Sequence, residues 1–202
     1  MKKLVLSLVA MFSLTLFSMA HEGYHVGDNV TDFSLKNIDG KTVSLADYKD
    51  AKGFIIIFTC NHCPYAKAYE DRIVALNTKY AKAGYPVIAI NPNDPVQYPD
   101  DNFENMKIRA KDKKFNFPYL HDESQGTAKK YGALKTPHVF IVQKNEKNFV
   151  LKYTGAIDDN WENESEVKEK YAESAVDALL AGKEITTNFT KAIGCGIKWK
   201  SL

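Results

Sequence analysis

Blocks of apolar residues along this chain change period in a regular order. Residues 54–59 (FIIIFT) form an unbroken aromatic and β-branched run. That pattern suits a central strand covered on both faces. Beyond it, Tyr65, Tyr69, Ile73, Leu76 and Tyr80 recur every three or four residues, which predicts one face of a helix closed by Gly84. Residues 87–90 predict the next strand. Asp101 with Glu104 resembles a capping box, and Phe103, Met106 and Ala110 continue a second helical stripe. A short strand over 117–120 and a short helix over 125–131 follow. Residues 138–142 (HVFIV) read as a third core strand, and 149–153 pair with them as a hairpin. Val167, Tyr171, Ala175 and Leu179 mark a last helix closed by Gly182. Near the start, strands over 30–35 and 41–45 flank the turn residues Asn37-Ile38-Asp39-Gly40, an N-terminal hairpin. The tail over 183–202 shows no period. Strands alternating with helices predict an α/β fold, a mixed central sheet flanked by helices, in a single domain over 21–202.

Residues 1–20 stand apart. Lys2 and Lys3 precede an apolar stretch that ends at Ser18-Met19-Ala20, the pattern of a secretory signal peptide. Cleavage after Ala20 would leave His21 at the N-terminus of an exported chain, periplasmic or extracellular, with no stable membrane insertion. Without those two lysines, 25 basic residues face 25 acidic ones. A nucleic-acid binder needs a basic excess to neutralise phosphates, so that class is excluded. Three cysteines in 202 residues are too few for a disulfide-built scaffold. Nothing in the composition points to a dimer, and a monomer is expected.

The chemistry concentrates in Cys60-Asn61-His62-Cys63, which follows the buried strand and opens the helix. A thiolate near a helix N-terminus is stabilised by unpaired backbone N–H groups and by the macrodipole. Thiolates are the attacking species in disulfide exchange. The spacing places Cys63 one turn beyond Cys60. Cys60 is expected to have the depressed pKa, with His62 tuning it, and Cys63 to be the more protected thiol. Pro64 loses little near a helix start because it has no N–H to leave unpaired. Structural zinc needs four ligands, and no second pair is present. Haem attachment needs histidine where Pro64 stands. A purely structural disulfide or a pair of buried thiols remains the plain alternative.

With these residues the chain resembles the thioredoxin superfamily, in particular its exported AhpC/TSA-like and TlpA-like branches. The resemblance spans nearly the whole chain after residue 20. It implies a thioredoxin-like fold and a redox dithiol at Cys60 and Cys63. It also implies a cis-proline facing them at Thr136-Pro137, before HVFIV, and an extra segment over 91–114 after the second core strand. A histidine before the second cysteine is similar to disulfide-forming oxidases and isomerases. The peroxiredoxin pattern P-x-x-x-T-x-x-C is not met. Ile57 and Gly53 stand three and seven residues before Cys60, and Cys60 and Ile56 before Cys63.

The expected function is thiol–disulfide oxidoreduction on protein or small-molecule disulfides. Cys60 attacks, a mixed disulfide forms, and Cys63 resolves it, with Thr136 and Pro137 shaping the docking edge. No organic cofactor is implied, and a redox partner must recycle the pair. A peroxide reductase on the same fold and a copper-binding or copper-delivery protein are the alternatives. Copper would use His21 and His25 at the N-terminus, or Cys60, Cys63 and His138. Cys195, between Gly194 and Gly196, is a candidate third redox thiol if the tail folds back; otherwise it is a buried small hydrophobe. The basic stretch 107–114 reads as a solvated helix face. The acidic stretch 158–169 reads as a loop and then a helix N-terminus, with Trp161 inside it.

Overall fold

The computed structural model describes residues 23–146 and 148–201. The leader and His21 lie outside the described residues. The strands are β1 (Asn29–Val30), β2 (Leu35–Asn37), β3 (Thr42–Val43), β4 (Gly53–Phe58), β5 (Val87–Asn91), β6 (Tyr119–His121), β7 (Lys135–Thr136), β8 (His138–Lys144), β9 (Phe149–Gly155) and β10 (Cys195–Gly196). The helices are α1 (Pro64–Tyr80), α2 (Phe103–Asp112), α3 (Gly126–Tyr131) and α4 (Tyr171–Leu180). Eight strands form one mixed sheet in the order β1-β9-β8-β4-β5-β6-β2-β3, and β7 pairs with β10 separately. β4 runs parallel to β5 and antiparallel to β8, and β5 runs parallel to β6. No described helix is long and apolar enough to cross a membrane.

β4 is central because both of its faces are apolar. Ile55 and Ile57 point into one cluster with Tyr69, Ile73 and Leu76 of α1, Met106 of α2 and Val176 of α4. Phe54, Ile56 and Phe58 point the other way, with Ala128 and Tyr131 of α3 and Leu45 beyond the hairpin. Every residue of β4 is buried, and each fully buried isoleucine or phenylalanine stabilises the fold by roughly 1.5–3 kcal/mol.

Three boundaries differ from the periodicity, each for a local reason. The first hairpin arm lies at Leu35–Asn37 rather than 30–35. The Asp32 carboxylate accepts the backbone N–H groups of Phe33, Leu45 and Ala46, which draws 31–34 out of the ladder. Asn29–Val30 instead pairs with β9 at the far edge. Second, Val167 ends a 3-10 turn over Glu164–Glu166, and α4 starts only at Tyr171. The acidic stretch is therefore not the N-terminus of that helix. Third, α2 is capped by Asn102, whose side chain accepts the Asn105 N–H at 2.8 Å. Asp101 is no cap; it is fully buried and points elsewhere.

Candidate redox site

The chain leaves β4 through Thr59, whose N–H still donates to Ile90 O, and then turns through Cys60, Asn61 and His62. Cys63 is the N-cap of α1 and Pro64 its first residue. The helix terminus thus falls at the second cysteine, three residues later than a helix opening at Cys60 would place it. All three cysteines are free thiols. Cys60 is 3% exposed and Cys63 fully buried. Opposite them the Thr136–Pro137 bond is cis. Cys60 Sγ lies 3.2 Å from Thr136 Oγ1, and Cys63 Sγ lies 3.2 Å from the Thr136 carbonyl oxygen, to which its protonated form donates. The Thr136–Pro137 loop thus lies against both sulfurs.

The extra segment over 91–114 builds the wall beside Cys60. A 3-10 turn over Pro99–Asp101 turns the Asp101 carboxylate inward. Its Oδ1 accepts the backbone N–H of Asn61 at 2.7 Å and of His62 at 3.2 Å. Its Oδ2 accepts Asn93 Nδ2 at 2.7 Å and meets His62 Nδ1 at 2.5 Å. Asn61 Nδ2 donates to the Asp100 carbonyl, and Tyr119 Oη donates to Asn61 Oδ1. The His62 ring stacks on Tyr98 at 4.8 Å. A buried carboxylate is costly unless its lone pairs are filled, and here the cysteine loop itself fills them. Asp101 thereby holds the loop's shape.

This arrangement reverses the expected charge distribution. The Cys60 thiol is raised above its ordinary value by its hydrogen bond with Cys63, then by burial and by the Asp101 charge. Cys63 is lowered to about 5, chiefly by the hydrogen bond from Cys60, against the cost of burial. The Cys195 thiol and the backbone N–H groups of Ala66 and Cys195 lower it further. The shared hydrogen bond and the groups around each sulfur thus favour negative charge on Cys63 over Cys60. His62 is occupied by Asp101 and does not lower Cys60.

Cys195 does reach the pair. β10 pairs antiparallel with β7, setting Cys195 opposite Thr136. Cys195 packs against the small cluster of Cys60, Cys63 and Ala66. Gly194 is needed for this approach, since a Cβ there would fall 2.3 Å from the Thr136 carbonyl oxygen. Gly196 has open space around it and carries no such demand. The strap continues through Ile197 N–H to Leu134 O, Lys198 N–H to Asn93 Oδ1 and Lys200 N–H to Gln125 Oε1. Burial and the neighbouring Cys63 raise the Cys195 thiol to about 11.

His138 does not join the cysteines. Its Nδ1 accepts the Leu134 N–H and its Nε2 meets Thr154 Oγ1. It lines an apolar cavity of about 640 Å³ with Leu134, Phe189 and Trp199. The Cys60–Cys63–His138 copper site is thus not assembled. Among the described residues, the group of metal-ligating side chains brought together is Cys60, His62 and Asp101, whose ligand atoms lie within 4.8 Å of one another. Four donors already occupy the Asp101 oxygens, so these residues read as a hydrogen-bonded loop anchor rather than an ion cage. His25 lies 3.7 Å from Asp28 and belongs to no such group. The basic stretch is a helix face, on which Lys107 pairs with Glu104 and Arg109 with the buried Glu70. Trp161 packs 4.2 Å from Tyr65.

A profile of the AhpC/TSA family matches residues 26–152, more than half the chain. The chain belongs to the AhpC/TSA family. Its relatives carry two kinds of name. Thiol-disulfide oxidoreductase ResA from Geobacillus thermodenitrificans is 26% identical over 60% of this chain and 66% of its own. The chain thus spans just under two thirds of that relative's length. Chloroplastic peroxiredoxin Q from Triticum aestivum is 27% identical over 71% of this chain and 61% of its own. A crystal structure of an uncharacterized conserved protein from Geobacillus kaustophilus is 39% identical, covers 87% of this chain and 93% of its own, and superposes with a TM-score of 0.80. A putative thiol:disulfide interchange protein DsbE from Chlorobium tepidum shares the fold at 19% identity and a TM-score of 0.59, covering 77% of this chain and 98% of its own. The fold is thioredoxin-like, and the family and the named relatives place the chain among thiol-based redox proteins.

Proposed function

We propose that the protein is an exported thiol–disulfide oxidoreductase whose Cys60–Cys63 pair cycles between dithiol and disulfide through a mixed-disulfide intermediate. One observation carries this reading: two free, touching cysteines, one of them a helix N-cap with its pKa lowered to about 5, face a cis-proline loop that contacts both sulfurs. Two electrons leave as the Cys60–Cys63 bond forms, and the substrate disulfide takes them up with two protons. The Cys63 thiolate is ready for exchange at neutral pH. Cys60 must give up a proton when the bond closes. Protein or small-molecule disulfides are the proposed substrates, the chain acts as a monomer, and a separate thiol partner recycles it.

A peroxidase reading draws on the peroxiredoxin relatives but fits the site less well. A peroxidatic sulfur must be a thiolate, and the Cys60 thiol is instead raised by its hydrogen bond with Cys63, by burial and by the Asp101 charge. The arginines pair with Glu70 and Asp158, away from that sulfur. The deciding experiment is a redox titration in graded glutathione buffers with the Cys60–Cys63 bond scored by mass. A single two-electron transition within roughly −270 to −120 mV supports the oxidoreductase. A pair that never closes overturns it.

A further inference from the structure

The sulfurs of the pair are shut away from solvent, yet the third cysteine of the chain is not. Cys60 is 3% exposed and Cys63 fully buried, whereas Cys195 is only partly buried. Cys195 packs against the cluster that Cys60, Cys63 and Ala66 form. Its thiol and its backbone N–H both act on Cys63. Cys63 is thus fully buried and acted on both by Cys60 and by the less buried Cys195. The contact follows from backbone register, since β10 sets Cys195 against Thr136 and Gly194 permits an approach that no other residue would. Hydrogen bonds from Ile197, Lys198 and Lys200 to Leu134, Asn93 and Gln125 then hold the strap beyond Cys195.

We propose that Cys195 is a third redox thiol, the one that meets external partners, and that Cys63 exchanges its disulfide between Cys60 inside and Cys195 outside. This rests on the oxidoreductase reading above and extends it to the route the electrons take. In the reducing direction, the Cys195 thiol attacks a substrate disulfide as it gives up its proton, the one the first substrate sulfur takes on leaving. A Cys195–substrate bond forms, and one substrate sulfur leaves and takes a proton. The Cys63 thiolate attacks the Cys195 sulfur; a Cys63–Cys195 bond forms, and the second substrate sulfur leaves reduced. Cys60, giving its proton to solvent, attacks Cys63; the Cys60–Cys63 bond forms, and Cys195 leaves as a thiolate. Two electrons pass from the pair to the substrate. An external dithiol reverses the same steps and restores the pair. In that reverse direction Cys63 leaves when the external thiol attacks the Cys195 sulfur, and a sulfur stabilised as a thiolate is the better leaving group.

Two variants test this, with oxidised glutathione as the probe. In Cys63→Ser the mixed disulfide has no neighbour to resolve it, so glutathione should be trapped on Cys195. In Cys60→Ser, oxidation should yield an intramolecular Cys63–Cys195 bond, found by non-reducing peptide mapping. Cys195→Ala should slow glutathione-driven closure of the Cys60–Cys63 bond by roughly tenfold or more while the bond still forms at equilibrium. Glutathione trapped on Cys60 in Cys63→Ser, or no Cys63–Cys195 bond in Cys60→Ser, overturns the relay. Closure in Cys195→Ala at the unaltered chain's rate also overturns it. Circular dichroism on each variant separates these results from misfolding, in which case the Cys→Ala form at the same position is used. If the unaltered chain never forms a Cys60–Cys63 bond, the oxidoreductase reading itself has failed, a different result from a pair that cycles without Cys195.

Discussion

The two sulfurs of one short motif sit in opposite surroundings. On the Cys60 side lie a buried carboxylate and a loop whose N–H groups are already given to Asp101. On the Cys63 side lie the first turn of α1 and the amide and thiol of Cys195. Negative charge is repelled on one side and received on the other. The order of cysteines in a motif therefore does not decide which becomes the thiolate; the donors aimed at each sulfur do. The helix terminus is the clearest instance, since a start at Pro64 rather than at Cys60 moves the favourable end of the dipole to Cys63.

The largest test of that contrast removes the main cause. In Cys60→Ala, the thiolate absorbance of reduced protein should titrate not near 5 but much closer to the ordinary cysteine value of about 8.5. A midpoint that stays near 5 would mean that the helix and the strap suffice without Cys60.

A second substitution should leave the contrast intact while removing stability. Asp158 accepts Tyr69 Oη and Arg72 Nη1, two side chains of α1, and the ion pair with Arg72 is buried. Asp158→Ala leaves that guanidinium without its carboxylate, held only by the Asn160 and Trp161 carbonyls, and should cost about 3–5 kcal/mol in urea unfolding. The Cys63 midpoint should hardly move, and a large movement would show that α1 itself is displaced.

The third uses pH. Burial lowers His138 from 6.5 to about 4. Between those values the unfolded chain binds a proton that the fold refuses, so stability falls as pH falls. The loss should reach up to about 3 kcal/mol by pH 4, and His138→Gln should flatten that slope. Reduced Cys63 acts in the same direction, its contribution being complete above about 8.5 and lost as pH falls through about 5. Comparing oxidised with reduced protein separates the two groups.

The smallest effect on stability comes from the strap. Gly194→Ala forces a methyl group against the Thr136 carbonyl and should cost about 1–3 kcal/mol. It should also raise the Cys63 midpoint and speed its alkylation as the Cys195 amide withdraws. Lost stability with unchanged alkylation would show that the strap does not cover the pair.

The central strand, α1, the β8–β9 hairpin and the tyrosine–isoleucine stripe were legible because burial imposes a period on the residues that make them. The dithiol was legible because its chemistry needs two cysteines at a fixed spacing. The role of Asp101 was not. Glu104 three residues on makes Asp101 resemble a cap, yet Asn102 caps α2 and Asp101 turns inward to bind a loop 39 and 40 residues earlier. A signal did exist, in the run Asn91, Asn93, Asp94 and Asp101 crowded into the extra segment, but nothing local shows which of these side chains will be buried.

Sequence by itself determined the layered α/β architecture, the buried β4, the helix that follows the cysteines and the two-residue spacing of that pair, while the proline loop beside them came only from the family resemblance. These depend on short-range periodicity and on residue chemistry, both written along the chain. Tertiary structure alone decided which sulfur holds the charge, that His62 serves Asp101 rather than Cys60, and that the aperiodic tail brings Cys195 to Cys63. Each of these depends on groups far apart in sequence meeting at hydrogen-bonding distance. Such meetings are set by strand register and by one glycine's missing side chain, which no local pattern of apolar and polar residues encodes.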